Sequence, residues 1–183
     1  MPTPLSHAAV GYALGAWIQP GRPSARVCIA AAACAALPDI DAIGWALHLS
    51  DTSTFAHRAI THSLTFAFAG ALLATAAIFL GSTRAQNRGR IAITLGLALL
   101  SHSCLDALST YSLGVEFFAP FSHQRFRFPW TPLGGVHASL FAQLVQETVV
   151  VLLPALLAAW LGFKARRRGS SPNPVAAYPT SSP

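Results

Sequence analysis

The stretch SLTFAFAGALLATAAIFLG, Ser63 to Gly81, runs for nineteen residues without a charged side chain. As an α-helix rising roughly 1.5 Å per residue it reaches about 28 Å, close to the thickness of a bilayer's hydrocarbon core. Two later runs extend the pattern. Ile91 to Leu113 is as long but carries His102 and Asp106, and Val136 to Phe163 contains Glu147 and ends abruptly at Lys164, Arg166, Arg167 and Arg168. Upstream, Leu5 to Ile18 and Val27 to Leu37 are shorter and are separated by the turn-forming Gln19-Pro20-Gly21-Arg22-Pro23, which suggests a tilted or half-buried helical hairpin packed on the others. Composition agrees: 53% of the chain is hydrophobic and 10% charged, against about 25% charged in soluble domains. The expectation is an all-α integral membrane bundle of four to five helices over residues 1–168, followed by a disordered Ser/Pro-rich tail over 169–183.

A net charge of +6 and a pI near 10.1 raise the question of nucleic acid. The basic residues, however, sit beside the apolar runs: Arg84, Arg88 and Arg90 between the third and fourth, Lys164 to Arg168 after the last, Arg22 and Arg26 at the first hairpin. Positive-inside bias accounts for them and places these loops and the C-terminus in the cytoplasm, with membrane lipids rather than nucleic acid as the partner. No basic residue precedes the first apolar stretch, so a cleaved signal peptide is not expected. Cys28, Cys34 and Cys104 lack CxxC spacing and are read as small buried hydrophobes.

That topology has a consequence for the ionisable residues. His7 starts the first helix, Asp39 and Asp41 end the second, and His57 and His62 precede the third; His102 and Asp106 lie in the far half of the fourth, and Glu147 in the first half of the fifth. All fall in the non-cytoplasmic half, a layer that random placement would seldom produce. Burying a charge in hydrocarbon costs about 2.5–3.5 kcal/mol on insertion scales, so such residues point to function.

Three motifs carry the chemistry. In Ser101-His102-Ser103-Cys104-Leu105-Asp106, imidazole and carboxylate share a helix face one turn apart, placed to chelate one ion or simply to hydrogen-bond two helices together. In Leu37-Pro38-Asp39-Ile40-Asp41, two carboxylates meet an unfavourable helix dipole and call for a positive partner, unless they are solvated loop residues or one caps the next helix. In His57-Arg58-Ala59-Ile60-Thr61-His62-Ser63, two imidazoles five apart and an arginine stand just before a membrane helix, as ligands or as an interfacial polar collar with Thr61 or Ser63 as the N-cap. Together His7, Asp39, Asp41, His57, His62, His102 and Asp106 offer nitrogen and oxygen ligands suited to zinc, manganese or iron. They are more than one tetrahedral ion needs, so either some orient the ligands or two ions sit side by side. Asp41 or Glu147 would accept a proton and Arg58 would clamp a phosphate, helped by Arg125 or Arg127. His48, His123 and His137 have no companion at helical spacing and are read as surface residues. The segment Glu116 to Gly135, rich in Phe and Trp, reads as an interfacial anchor or lid.

On these residues the chain resembles the YdjM-type family of LexA-regulated inner-membrane proteins regarded as metal-dependent hydrolases. The likeness runs through His7 with Gly11, Leu37 to Asp41, His57 to Ser63 and His102 to Asp106, with Pro120 and Phe121 beyond. It implies a helical protein of the bacterial inner membrane and a hydrolytic activity, with no substrate attached. The order of His, Asp, His, His-x-x-x-Asp and Glu is also similar, more loosely, to zinc-dependent phospholipase C, which favours a phosphoester by analogy. The expected function is therefore a membrane-bound metal-dependent hydrolase acting on a phosphoester of a lipid or envelope molecule. A metal or proton transporter is the alternative, and it would require ionisable residues through both leaflets. A non-catalytic scaffold using polar residues as helix glue is a third.

Overall fold

The computed structural model describes residues 2–19, 23–48, 50, 53, 56–79, 87–111, 113–135 and 139–168. The readings that rest on Arg22, Arg84, His137 and the 169–183 tail lie outside them. All named elements among the described residues are helical. The exceptions to helix and loop are two isolated bridges, Ser109 with Leu133 and Val115 with Phe126.

Helix α1 (Pro4–Ile18) and helix α2 (Ala25–Ala36) form the first hairpin, and α2 tightens into a 3-10 segment, Leu37–Ala42, before the single turn α3 (Ile43–Ala46). A second 3-10 turn, Ile60–His62, leads into α4 (Leu64–Phe79) and then α5 (Arg88–Ala107). The last helix is α6 (Leu140–Glu147), a π-turn at Thr148–Leu152, and α7 (Leu153–Arg168). Pro154 explains the π-turn: it has no N–H to donate and crowds the carbonyl four residues back, so the backbone slips register ahead of it.

Helix ends differ from the hydropathy limits. Helix α5 starts at Arg88 and stops at Ala107, and the final helix begins at Leu140 and continues through the basic cluster. Hydropathy marks where side chains meet lipid, whereas Lys and Arg are good helix formers and carry the backbone on. Two helices, Arg88–Ala107 and Leu140–Arg166, are long and apolar enough to cross a membrane, and Leu64–Ile78 is a shorter apolar helix. Ser63, expected as a cap, accepts the Phe66 N–H at 3.1 Å and starts α4.

Inside and outside are arranged for an apolar solvent. The core between α2, α4 and α5 is built mostly of small residues, Ala30, Ala31, Cys34, Ala35, Ala67, Ala71 and Ala98, with Leu95 and Leu99 at its centre. Large side chains face outward instead, including Phe68, Leu73, Ile93, Leu156 and Trp160. Small residues allow backbones to approach where burial against lipid gives no hydrophobic gain. The free cysteines Cys28 and Cys34 are buried and Cys104 half-buried, in keeping with their lack of ligand spacing.

Helix α1 packs on α2 through Gly11 and Gly15, two glycines one turn apart. A β-carbon on Gly11 would lie 2.4 Å from the Ala31 carbonyl oxygen and 2.6 Å from the Ala35 β-carbon, and one on Gly15 would lie 2.7 Å from the Cys28 α-carbon. Both contacts are backbone or stub atoms that cannot swing away. Gly11→Val is therefore expected to force the hairpin open and lower stability by about 1–3 kcal/mol, the usual cost of overpacking. A thermal melt of detergent-solubilised protein checks this; an unchanged midpoint would show that α1 and α2 do not pack this closely.

Basic side chains close the opposite ends of the helices from the histidines. Arg166 donates to the carbonyls of Trp17 and Gln19 at the C-terminus of α1, the latter at 2.5 Å. Arg26 donates to the Ile78 carbonyl at the end of α4. Cations suit these positions because unsatisfied carbonyls leave partial negative charge there.

Candidate metal centre

The C-terminus of α2, the two 3-10 segments, the start of α1 and the last turns of α5 converge, and every histidine and aspartate of the three sequence motifs meets there. The centre begins with His102. Its Nδ1 lies 2.7 Å from the Ala35 carbonyl oxygen, which only accepts, so Nδ1 carries the proton and Nε2 turns its lone pair inward. His62 Nδ1 lies 3.0 Å from the Thr61 hydroxyl oxygen and 3.2 Å from Asp41 Oδ2, leaving Nε2 pointing at His102 Nε2, 2.9 Å away. Asp106 Oδ2 lies 3.3 Å from His62 Nε2 and 3.9 Å from His102 Nε2, and Asp39 Oδ1 lies 3.5 Å from His102 Nε2. One ligand atom from each of Asp39, His62, His102 and Asp106 falls within 4.8 Å of the other three.

Two imidazole nitrogens and two carboxylates facing each other at these distances call for positive charge or a shared proton. The Arg58 guanidinium supplies part of it to Asp106, and a proton on His62 or Asp39, or a metal cation among the four, supplies the rest. An unmet hydrogen-bonding need at Asp39 favours the cation: both of its oxygens are buried without a hydrogen-bond donor among the described residues, whereas Asp106 already has the Arg58 guanidinium beside it. A buried carboxylate oxygen left so is costly, unless it ligates metal. The donor set is two imidazoles and two carboxylates, which fits zinc or another divalent transition ion. A backbone carbonyl on the far ring nitrogen, as Ala35 provides, is the usual way a metal-binding histidine is oriented.

Asp41 is differently placed from Asp39. Its Oδ1 meets His57 Nδ1 at 2.5 Å, and its Oδ2 accepts the Arg58 N–H at 3.1 Å, the Thr61 hydroxyl and the His62 ring. Burial works to raise its pKa, but these hydrogen bonds from His57, His62 and Thr61 win and hold the carboxyl well below the ordinary range. Asp39 shows the reverse: burial, only partly offset by His7, pushes its carboxyl up. A dication beside it would draw it back down. Asp41, His57 and His62 form the second group with ligand spacing, yet the lone pairs of Asp41 are already taken up by donors.

His7 stacks on His102, ring centroids 3.7 Å apart, with its Nε2 3.6 Å from Asp106 Oδ1. Arg58, expected to clamp phosphate, turns inward instead. Only 1% exposed, it places Nε 2.8 Å from Asp106 Oδ2. Burial pushes its pKa down, and the neighbouring Asp106, Asp39 and Asp41 oppose this. Its φ of 67° lies in the left-handed region that a long side chain rarely adopts. The surroundings hold it there: its N–H is given to Asp41, and its carbonyl accepts the Glu116 N–H at 3.0 Å.

Glu147 is not brought into either group. Its carboxylate accepts the backbone N–H and the hydroxyl of Thr3, each at 2.6 Å, and so ties the start of α1 to α6 one turn before His7. A proton-accepting role at the centre is not where the structure puts it. Arg125 pairs with Glu116 at 3.2 Å and reaches the His57 carbonyl at 3.5 Å, which fixes the Val115–Phe126 segment on the ligand loop. The tip of that segment leaves Phe121 87% and nearby Trp130 72% exposed, as an interfacial anchor would. The exposed ring of His123 lies 3.0 Å from the buried Glu116 carboxylate, and His48 is exposed. The Ala35 carbonyl, Thr61, Thr3 and Glu116 are site partners that sequence reasoning misses. Of these only Thr61, lying inside the histidine motif, leaves any signal.

Fold and centre together define a helical membrane-associated protein with a buried histidine–aspartate cluster able to bind a metal. The sequence matches the YdjM inner membrane protein family over residues 1–170, and the chain belongs to that family. It is 33% identical over 163 residues, 88% of this chain and 92% of the relative, to inner membrane protein YbcI of Escherichia coli (strain K12). No solved structure matches it.

Proposed function

We propose that this protein is a divalent-metal-dependent hydrolase embedded in the bacterial inner membrane, acting on a phosphoester of a lipid or envelope molecule. The observation that carries the reading is the convergence of Asp39, His62, His102 and Asp106, with the lone pairs of the two rings turned toward one another. In this reading those four hold the ion, zinc before manganese or iron, and His7, His57 and Asp41 orient them. An ion held there supplies Lewis acidity, polarising an ester and acidifying water. Asp39 is the most exposed of the three aspartates, at 10% of its side chain against 3% for Asp41 and none for Asp106. That exposure supports an approach of substrate past Asp39, whose oxygen not engaged by the ion would accept a proton.

The chain crosses the membrane several times as a bundle of four to five helices, with the centre toward the periplasmic face and the C-terminus in the cytoplasm. The basic residues capping the opposite helix ends support this orientation. A transporter reading needs ionisable groups through both halves, whereas α4 has none along Leu64–Phe79 and α5 has none between Arg90 and His102. The test is metal analysis of purified protein with turnover of a chromogenic phosphodiester and of lipid phosphoesters in detergent. Bound metal with hydrolysis, both lost in His102→Ala, is expected. Metal without turnover of any ester would leave a binding or transport protein, and no metal would end both readings.

A further inference from the structure

Asp39, Asp41 and Asp106 bring three negative charges to this centre and Arg58 brings one positive charge. With neutral imidazoles, a single dication makes the set neutral, and a second would leave an excess that a low-dielectric surrounding penalises. The arginine is also where a second ion would sit. Asp106 Oδ2 lies 3.3 Å from His62 Nε2 of the ligand set and 2.8 Å from Arg58 Nε, so a single carboxylate oxygen faces both. In dinuclear sites a bridging carboxylate commonly joins ions about 3.5–4 Å apart. The group that would supply further ligands, Asp41 with His57, is instead closed by hydrogen bonds and by the Arg58 N–H. The backbone of Arg58 is held in a left-handed conformation and its side chain is buried.

From this geometry, and resting on the metal-binding reading above, we propose that the centre takes one divalent ion and that the Arg58 guanidinium, which shares Asp106 with the ligand set, stands in for a second. The number of ions and the reason for it then follow from one residue. Arg58 acts as a positioning and charge-balancing group, a fixed cation that cannot dissociate.

The experiment uses the full chain in detergent, loaded with excess manganese(II), desalted, and read by elemental analysis and electron paramagnetic resonance. One ion per chain with the spectrum of an isolated ion is expected for the natural protein. Arg58→Met, which keeps much of the volume without the charge, is expected to take up a second ion and give the spectrum of an exchange-coupled pair; Arg58→Lys is expected to stay at one. A coupled pair in the natural protein overturns the proposal without touching the metal reading, and does so even if Arg58→Met fails to fold. A folded Arg58→Met that holds one ion with unchanged affinity also overturns it. No ion in the natural protein overturns both.

Discussion

Asp106→Asn is expected to lower divalent-metal affinity by at least about a hundredfold, the upper range for loss of an orienting contact and the lower bound for loss of a charged ligand. This one side chain faces His7, His62, His102 and Arg58 at 3.6, 3.3, 3.9 and 2.8 Å. The amide keeps the shape, so the change isolates charge. It also strands a guanidinium that is nearly all buried, and breaking a buried pair from one side costs about 3–5 kcal/mol. Stability of the metal-free protein should therefore fall as well. Isothermal titration with zinc and a thermal melt in chelator separate the two effects. Unchanged zinc affinity in a folded variant would remove Asp106 from the ligand set and, with it, the strongest reason for a metal.

The parts of this centre that are legible in the sequence are those set by helical period. His102 and Asp106 stand four residues apart within one helix, so their shared face follows from 3.6 residues per turn, and the structure has them together. The gathering of the histidines and aspartates at one end is expected from alternating helix direction, read from the basic loops. What the sequence leaves open is which of two similar carboxylates faces the other candidate ligands. Asp39 and Asp41 differ only by the donors that a distant loop presents: Thr61, His57 and the Arg58 N–H all reach Asp41 and none of them is hydrogen-bonded to Asp39. Glu147 illustrates a similar limit. Its depth along a helix is readable, but its direction depends on where Thr3 lies, and rotation about a helix axis is set by packing. The Ala35 carbonyl has no signal at all, because any residue supplies one.

Asp41→Asn tests the division between ligand and support. Asp41 lies 3.2 Å from His62 Nδ1 and accepts the hydroxyl of Thr61, the other group at that nitrogen, so the pair orients the ring and aims Nε2 into the centre. Losing the charge should weaken metal binding by about 10–100-fold, the range typical of such outer contacts. It should also reduce stability, since His57, Thr61 and the Arg58 N–H would face an amide whose nitrogen cannot accept. The deciding measurement is turnover at saturating metal. If Asp41 only supports His62, restoring occupancy with excess zinc brings kcat back to within a few-fold of the natural protein, while KM is little changed. If Asp41 were the proton acceptor, kcat would stay down by about 10²–10⁴-fold however much metal were added, and the proton-accepting role would pass to it from Asp39. Asp39→Asn in the same assay should behave the other way, with kcat depressed even when the metal site is full.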